Sequence, residues 1–319
     1  ASIGLAAFLA LGKPELAHSY MHWLLHASRL TRPRLRVLYS LFGKPGRKEQ
    51  EVPGVPGYRH SLPVRVGNAA ASQHQLDIYG WVVDAAWLLT KAGRTLHAET
   101  WRAVSGFADF AADHWRDRDA GIWEVREQPQ HFVHSKMMAW LCLDRALRIS
   151  ETRPTRASRK NRWATERELV AEEIRTRGFD DDVGTYVRNF GSKELDAALL
   201  ILPVLEFEPD PARVAGTIQA IRQALDAGDD LLYRYRPATD SREGAFLPCA
   251  FWAVQALART HRRDEATDLF ERLLGLANDV GLFGEEIDPI SKEHLGNFPQ
   301  AFTHATLIQA ALSLSEGGT

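Results

Sequence analysis

The sequence predicts an all-α protein. Apolar residues recur at three- and four-residue spacing in segment after segment. Alternating apolar–polar runs of the kind a half-buried strand needs are almost absent. Proline and acidic residues stand where new helical patterns begin. The spacing places helices at about 2–11, 15–29, 69–91, 98–115, 135–149, 161–177, 193–203, 211–226, 244–260, 264–277 and 299–315, with ends good to ~2–4 residues.

The start signals have physical causes. Lys13-Pro14-Glu15 puts a proline, whose missing N–H is no loss in a first turn, beside an acid that complements the helix dipole. Pro209-Asp210-Pro211 repeats the device before Arg213-Val214. Helix hairpins of this kind close into a toroid or stack into an open solenoid. No fixed-period repeat is present, which disfavours the common solenoids. Some connections are short, such as Thr260-His261-Arg262-Arg263. Others, at 43–68, 116–134, 178–192, 227–243 and 278–298, are long and rich in glycine, proline, aromatics and charge. Long loops in a compact domain are usually functional or disordered, and the aromatics and paired acids here favour function. The expectation is therefore one domain over 1–319 with its loops on one face.

Composition narrows the function classes. The chain has 319 residues, 45% hydrophobic and 25% charged, as in a folded globular protein. A net charge of −2 gives no global attraction to nucleic acid or an anionic membrane. No apolar run approaches the ~20 residues of a membrane span. Cys142 and Cys249 lie in apolar helical contexts and read as free thiols, which points to a reducing, cytoplasmic setting. Gly-x-Ser-x-Gly, phosphate-cradling and dinucleotide-binding signatures are missing, so acyl hydrolases, nucleotide enzymes and dinucleotide oxidoreductases lose ground. His18, His22 and His26 share a helical face, but no acid completes a metal site. Neither a metal nor a cofactor is called for.

Two loop acids are candidates for the chemistry. Trp123-Glu124 precedes an apolar helix beginning near Ser135. A carboxyl against an indole at the mouth of a core is poorly solvated, which favours a proton donor. The same pair also suits a glutamate that caps or salt-bridges the next helix. Glu285, in Gly284-Glu285-Glu286-Ile287-Asp288, likewise sits in a glycine-bounded loop ahead of an apolar helix. A glycosidic bond is broken by two carboxyls, one protonating the leaving oxygen and one handling water or the anomeric carbon. Taken alone, the second acidic loop also fits a solvated charged turn. Tyr233-Arg234-Tyr235-Arg236 offers guanidinium donors for hydroxyls and flat rings for sugar faces, or an arginine packed on aromatics. Gln73, Asp77 and Gly80 share one helical face and fit a polar network under the loops. His131 and His134 frame the helix after Glu124, where packing is their simplest role.

Gly121-Ile122-Trp123-Glu124-Val125-Arg126, followed by His131-Phe132 and Ser135-Lys136, resembles glycoside hydrolase family 15, the glucoamylase, glucodextranase and bacterial trehalase group. So do Gly57 to Ala70, Gln75-Leu76-Asp77-Ile78-Tyr79-Gly80 and Phe190-Gly191-Ser192 with Leu195-Asp196-Ala197-Ala198. Glu243 to Trp252 and Gly296-Asn297-Phe298-Pro299-Gln300-Ala301-Phe302-Thr303-His304 complete the series in family order. The resemblance implies an (α/α)6 barrel and an inverting, exo-acting hydrolase that releases glucose from α-glucosidic non-reducing ends. By motif position it implies Glu124 as general acid and Glu285 as general base, with Glu286 and Asp288 as rivals for the base. It implies Trp123, Arg126, Arg234 and Tyr235 as substrate-binding residues. Asp77, Tyr79, Glu286, Lys136 and His304 would stand behind them. Inversion needs carboxyls roughly 6.5–9.5 Å apart, leaving room for a water.

The resemblance has departures. Family members usually carry an N-terminal β-sandwich, and an Arg-Asp pair that grips the terminal glucose ahead of an Ala-Ser. The chain opens at Ala1-Ser2, so both are expected to be missing and the first barrel helix to start at or near residue 1. Trp81 stands where relatives commonly carry an acid. The partner implied is a carbohydrate, glucoamylase-like first and trehalose as the alternative, with a non-catalytic carbohydrate-binding relative or inactive fragment as a further one. The oligomeric state is left open.

Overall fold

A computed structural model describes residues 2–44, 46, 48–237 and 243–315. Ala1, on which the expected helix start falls, and residues 238–242 of the expected 227–243 loop lie outside the described residues. Among the described residues the helical spacing is realised in α1 (Ser2–Ala10), α2 (Pro14–Ala27), α3 (Asp77–Lys91), α4 (Ala98–His114), α5 (Val133–Ser150) and α6 (Ala157–Arg177). The series continues with α7 (Leu202–Leu205), α8 (Pro211–Ala224), α9 (Leu247–Arg259), α10 (Arg263–Leu274) and α11 (Ala301–Ser315). None of these helices is long and apolar enough to cross a membrane.

Two stretches depart from expectation. The helix expected over 69–91 is broken: a 3-10 turn at Ala69–Ser72 ends at an extended Gln73, and α3 starts only at Asp77. Asn68 causes the early turn, its side chain accepting from the Ala70 N–H at 2.7 Å. The helix expected over 193–203 is a 3-10 turn, Ala197–Ile201, capped by Asp196 and followed by the single turn α7. Short antiparallel pairs of two or three residues also join the long loops, the largest linking Ala245–Phe246, Glu286–Ile287 and His294–Leu295. Such pairs are too short to leave a period-two signal.

The chain forms two compact units, Glu15–Glu168 and Ala1–Pro14 with Leu169–Thr319. In the first, α5 is buried on nearly every side, from Val133 to Ser150, so the polar residues it carries need partners inside the unit. It packs on α3, where Gly80 leaves room: a Cβ there would lie 2.5 Å from the Met138 carbonyl oxygen. α4 buries Trp101, Val104, Phe107, Ala108 and Ala111, the helical stripe its sequence encodes. Asp144, buried on α5, is neutralised by Arg145, Arg148 and Arg167, as a charge removed from water must be. In the second unit α9 is the core helix, buried from Leu247 to Leu257, with α10 and α11 against it. Asp210 caps α8 through the Ala212 N–H at 2.9 Å and Pro211 opens it, as the sequence signal requires.

Candidate active site

The Glu124 loop lies wholly within the first unit. Gly121 makes the turn at φ +66, and its missing side chain admits Phe132, whose ring would come within 2.9 Å of a Cβ. Glu124 itself takes a left-handed backbone, φ +54, uncommon for a residue with a side chain. That conformation persists only if neighbouring groups hold it. They do. Gln73 donates its amide to the carbonyls of Glu124 (3.3 Å) and Val125 (3.0 Å), and is itself fixed by Gln75. The Ala120 N–H bonds the His74 carbonyl, and Asp119 receives the Leu76 N–H and the Ser135 hydroxyl.

The Glu124 carboxylate is half-buried and accepts from the Asn68 side-chain amide at 3.0 Å on Oε2. Trp123 beside it is 9% exposed, so its ring is part of the packed wall. Arg126 points into an exposed ion pair with Glu49 at 3.0 Å. Glu49 also binds Arg65 and the Ala69 N–H. Arg126 thus ties the acid's loop to the segment that carries Asn68. A cleft of about 470 Å³, with Tyr39, Phe42, Lys44 and Asn68 among its walls, lies in the same unit.

Residues expected behind the substrate contacts occupy distinct places. Asp77 is buried in the first turn of α3, where desolvation and the nearby Asp119 charge raise its pKa to about 7. Trp81, the departure from the family pattern, has its ring 6.3 Å from that of His134. Burial pushes His134 down to about 3, leaving a neutral ring in the wall of α5. Tyr79 is fully buried, stacked on Phe110 at 4.7 Å, and its hydroxyl accepts the Leu35 N–H. Desolvation pushes that phenol well up. Lys136 is buried and donates its ammonium to the carbonyls of Trp115 and Asp117, just beyond α4. That is where a cation complements the helix dipole.

The Glu285 loop lies wholly within the second unit. Glu285 directly precedes the strand residues Glu286–Ile287, its N–H bonding the Asn297 carbonyl and its own carbonyl accepting the Leu247 N–H. Its Oε2 accepts twice from Asn297, from the backbone N–H at 3.1 Å and the side-chain amide at 2.8 Å. Gly296 makes this possible: its φ is +70 and a Cβ would stand 2.8 Å from that same oxygen. The start of α11 secures the loop from below. The Thr303 hydroxyl donates to the Gly284 carbonyl, and the Gln300 N–H to that of Phe283. His304 accepts the Phe283 N–H on Nε2 while Nδ1 faces the Gln300 carbonyl, a pattern satisfied by one neutral tautomer.

Glu286 and Asp288 are engaged differently. Glu286 accepts from the Gly244 N–H at 3.2 Å and pairs with Arg234 at 3.5 Å. Burial raises its pKa, with Arg234 opposing. Asp288 folds back onto the N–H groups of Ile290 and Ser291, an Asx turn. Arg234 also bonds Glu243 at 2.8 Å; burial lowers its pKa, but the two acids more than offset this. Its neighbour Tyr235 is half-buried under Arg188, whose guanidinium stands 4.2 Å over the ring. The structure therefore groups Trp123, Glu124 and Arg126 in one unit, and Arg234, Tyr235, Glu285, Glu286 and His304 in the other. Asn68, Gln73 and Asn297 hold the two acids, and sequence reasoning does not single them out as their partners. Asn68 and Asn297 lie in motifs quoted above and Gln73 in the expected polar network, but no spacing rule connects residue 68 to residue 124.

The family model of glycosyl hydrolases family 15 matches residues 1–312, nearly the whole chain. The chain belongs to this family. A trehalase of Mycobacterium tuberculosis is 38% identical over 292 residues, covering 90% of this chain and 42% of the relative. A Thermoplasma volcanium trehalase is 36% identical over 89% of the chain and 46% of its own length. Trehalase 1 of Sulfolobus acidocaldarius is 34% identical over 95% and 53%. The chain thus spans about half the length of the curated relatives it matches. Among solved structures, a glycosidase variant in complex with glucose matches with TM-score 0.75 at 16% identity, covering 98% of this chain and 85% of that one. A bacterial glucoamylase complexed with acarbose matches with TM-score 0.76 at 14% identity, over 99% and 48%. These structural likenesses show the fold class, all-α of the (α/α)6 type.

Proposed function

We propose that this family 15 chain carries the catalytic residues of a trehalase, hydrolysing the α,α-1,1 bond between two glucose units with inversion. The observation that carries the reading is the set of curated trehalases, 34–38% identical over about nine-tenths of the chain. The sequence motifs put glucoamylase-like release first and trehalose second; these relatives reverse the order, since the glucoamylase likeness at 14% identity speaks for fold alone.

In this reading residues 1–319 serve one catalytic domain, with Glu124 as general acid and Glu285 as general base. Glu124 gives its proton to the bridging oxygen as the C–O bond breaks, and Glu285 takes a proton from the water that attacks the anomeric carbon. One proton is given and one taken, so exchange with solvent returns both carboxyls to their starting states. Attack from the opposite face makes β-glucose from the attacked ring, while the departing glucose keeps its α configuration. Trp123, Arg126, Arg234 and Tyr235 would bind the sugar. The choice of Glu285 over its rivals is supported by their engagements: Glu286 is held by Gly244 and Arg234, and Asp288 by its own turn.

Glucose release from trehalose, maltose, isomaltose and starch tests the proposal, with NMR of the first products. Trehalose should lead by at least about tenfold, ~1.4 kcal/mol of transition-state discrimination, and give α- and β-glucose in equal amounts. Release from maltose and starch with trehalose untouched would return the reading to a glucoamylase. Only α-glucose from trehalose would exclude inversion.

A further inference from the structure

We propose that Asn68 is a positioning residue that decides which oxygen of Glu124 carries the transferred proton; this rests on the acid role proposed for Glu124. The geometry gives Asn68 two separate tasks. Its side-chain oxygen accepts the Ala70 N–H at 2.7 Å, capping the 3-10 turn Ala69–Ser72. With that oxygen engaged, the amide nitrogen is the end turned toward Glu124, and it donates to Oε2 at 3.0 Å. The two contacts fix the amide's orientation together, because an NH2 group cannot accept the Ala70 N–H.

The consequence follows from donor counting. An amide N–H needs a lone pair, and the oxygen bearing a carboxyl proton is the poorer acceptor. Donation to Oε2 therefore leaves the proton on Oε1. A general acid must present its proton to one specific leaving oxygen, so a proton on the wrong oxygen costs a carboxyl rotation in each turnover. The platform beneath Asn68 is built to keep this register. The Ala69 N–H, Arg65 and Arg126 converge on Glu49, and Gln73, at the far end of the same turn, holds the Glu124 and Val125 carbonyls. The left-handed backbone of Glu124 is thus matched to a fixed donor.

Asn68→Asp separates the two tasks, since it keeps the oxygen that caps Ala70 and replaces the donor by an acceptor. A protonated Glu124 would then turn its proton toward the introduced carboxylate, away from substrate. For the whole protein with trehalose, kcat should fall about 100-fold, within the span of general acid catalysis, with KM changed less than about threefold and Tm within about 2 °C. Hydrolysis of α-glucosyl fluoride, whose leaving group needs little protonation, should change less than about threefold. Asn68→Ala, which removes donor and cap together, should lose about tenfold in kcat on trehalose while sparing the fluoride in the same way. Wild-type kcat in Asn68→Asp, or parallel losses on both substrates, would overturn the proposal. Glu124→Gln, assayed alongside, keeps the readings apart: if it still cleaves trehalose, the acid assignment fails; if it does not while Asn68→Asp is unimpaired, only the role of Asn68 fails.

Discussion

The Glu124 and Glu285 loops solve one problem, holding a carboxylate in a single pose, by different means. Glu285 is set chiefly by main-chain pairing: its N–H and carbonyl are paired with Asn297 and Leu247, and Asn297, beside a glycine with no room for a side chain, adds its own N–H and side-chain amide on Oε2. Glu124 is set by side chains that reach it from residues 68 and 73, and its own backbone is left-handed. A pose fixed by main-chain pairing tolerates little change, because the backbone cannot move without breaking the strand. A pose fixed by side chains can be loosened one contact at a time. Substitutions around Glu285 should therefore be severe, and those around Glu124 graded.

The sharpest test of that contrast comes at Glu285 itself. Glu285→Gln should lower kcat on trehalose by about 10²–10⁴-fold, the usual worth of a proton-transferring group; Glu286→Gln should cost less than about tenfold, and the reverse order would exchange their roles. Gly296→Ala comes next, because its methyl collides with the Glu285 carboxylate at a backbone angle only glycine adopts freely. A loss of about 100-fold in kcat is expected, with circular dichroism unchanged; wild-type activity would show that the Glu285 pose is not held as described. Gln73→Ala, in the loosened loop, should cost about tenfold or less, and a loss matching that of Gly296→Ala would erase the contrast.

The smallest expected effect is on stability and reports on the support under Glu124. Asp77 has a folded pKa of about 7 against 3.8 for the free side chain. Burying the ionised form therefore costs nothing below the lower value and its full amount above the higher one, so stability from this group declines as pH rises between them. Asp77→Asn should raise Tm at pH 8 by about 2–4 °C and leave it near wild type at pH 4. Equal shifts at both pH values would contradict a burial cost. Thermal melts across that range decide it.

Much of this is legible in the chain. The stripe of α4 and the Pro209-Asp210-Pro211 start of α8 can be read directly, because both are local facts of spacing and capping. The break before α3 cannot: an apolar, alanine-rich 69–91 stretch looks helical until Asn68 and Gln73 commit their side chains to the turn and to the Glu124 loop. Arg126 can be picked out by its motif, but its pairing with Glu49, 77 positions away, cannot. Motif position puts Glu285 ahead of Glu286, but their different partners, Asn297 for one and Gly244 and Arg234 for the other, cannot be read from the chain. Contacts between residues distant in sequence carry no periodic signature, and the candidate site is made of them.

Everything proposed for the site depends on Glu124 supplying a proton to a leaving sugar. Glu124→Gln, given trehalose and α-glucosyl fluoride in parallel, tests it most directly. Trehalose turnover should fall by about 10²–10⁴-fold while the fluoride, which leaves without a proton, is still hydrolysed at a rate near wild type. Equal retention of both activities, or equal loss of both in a folded protein, would contradict the acid role.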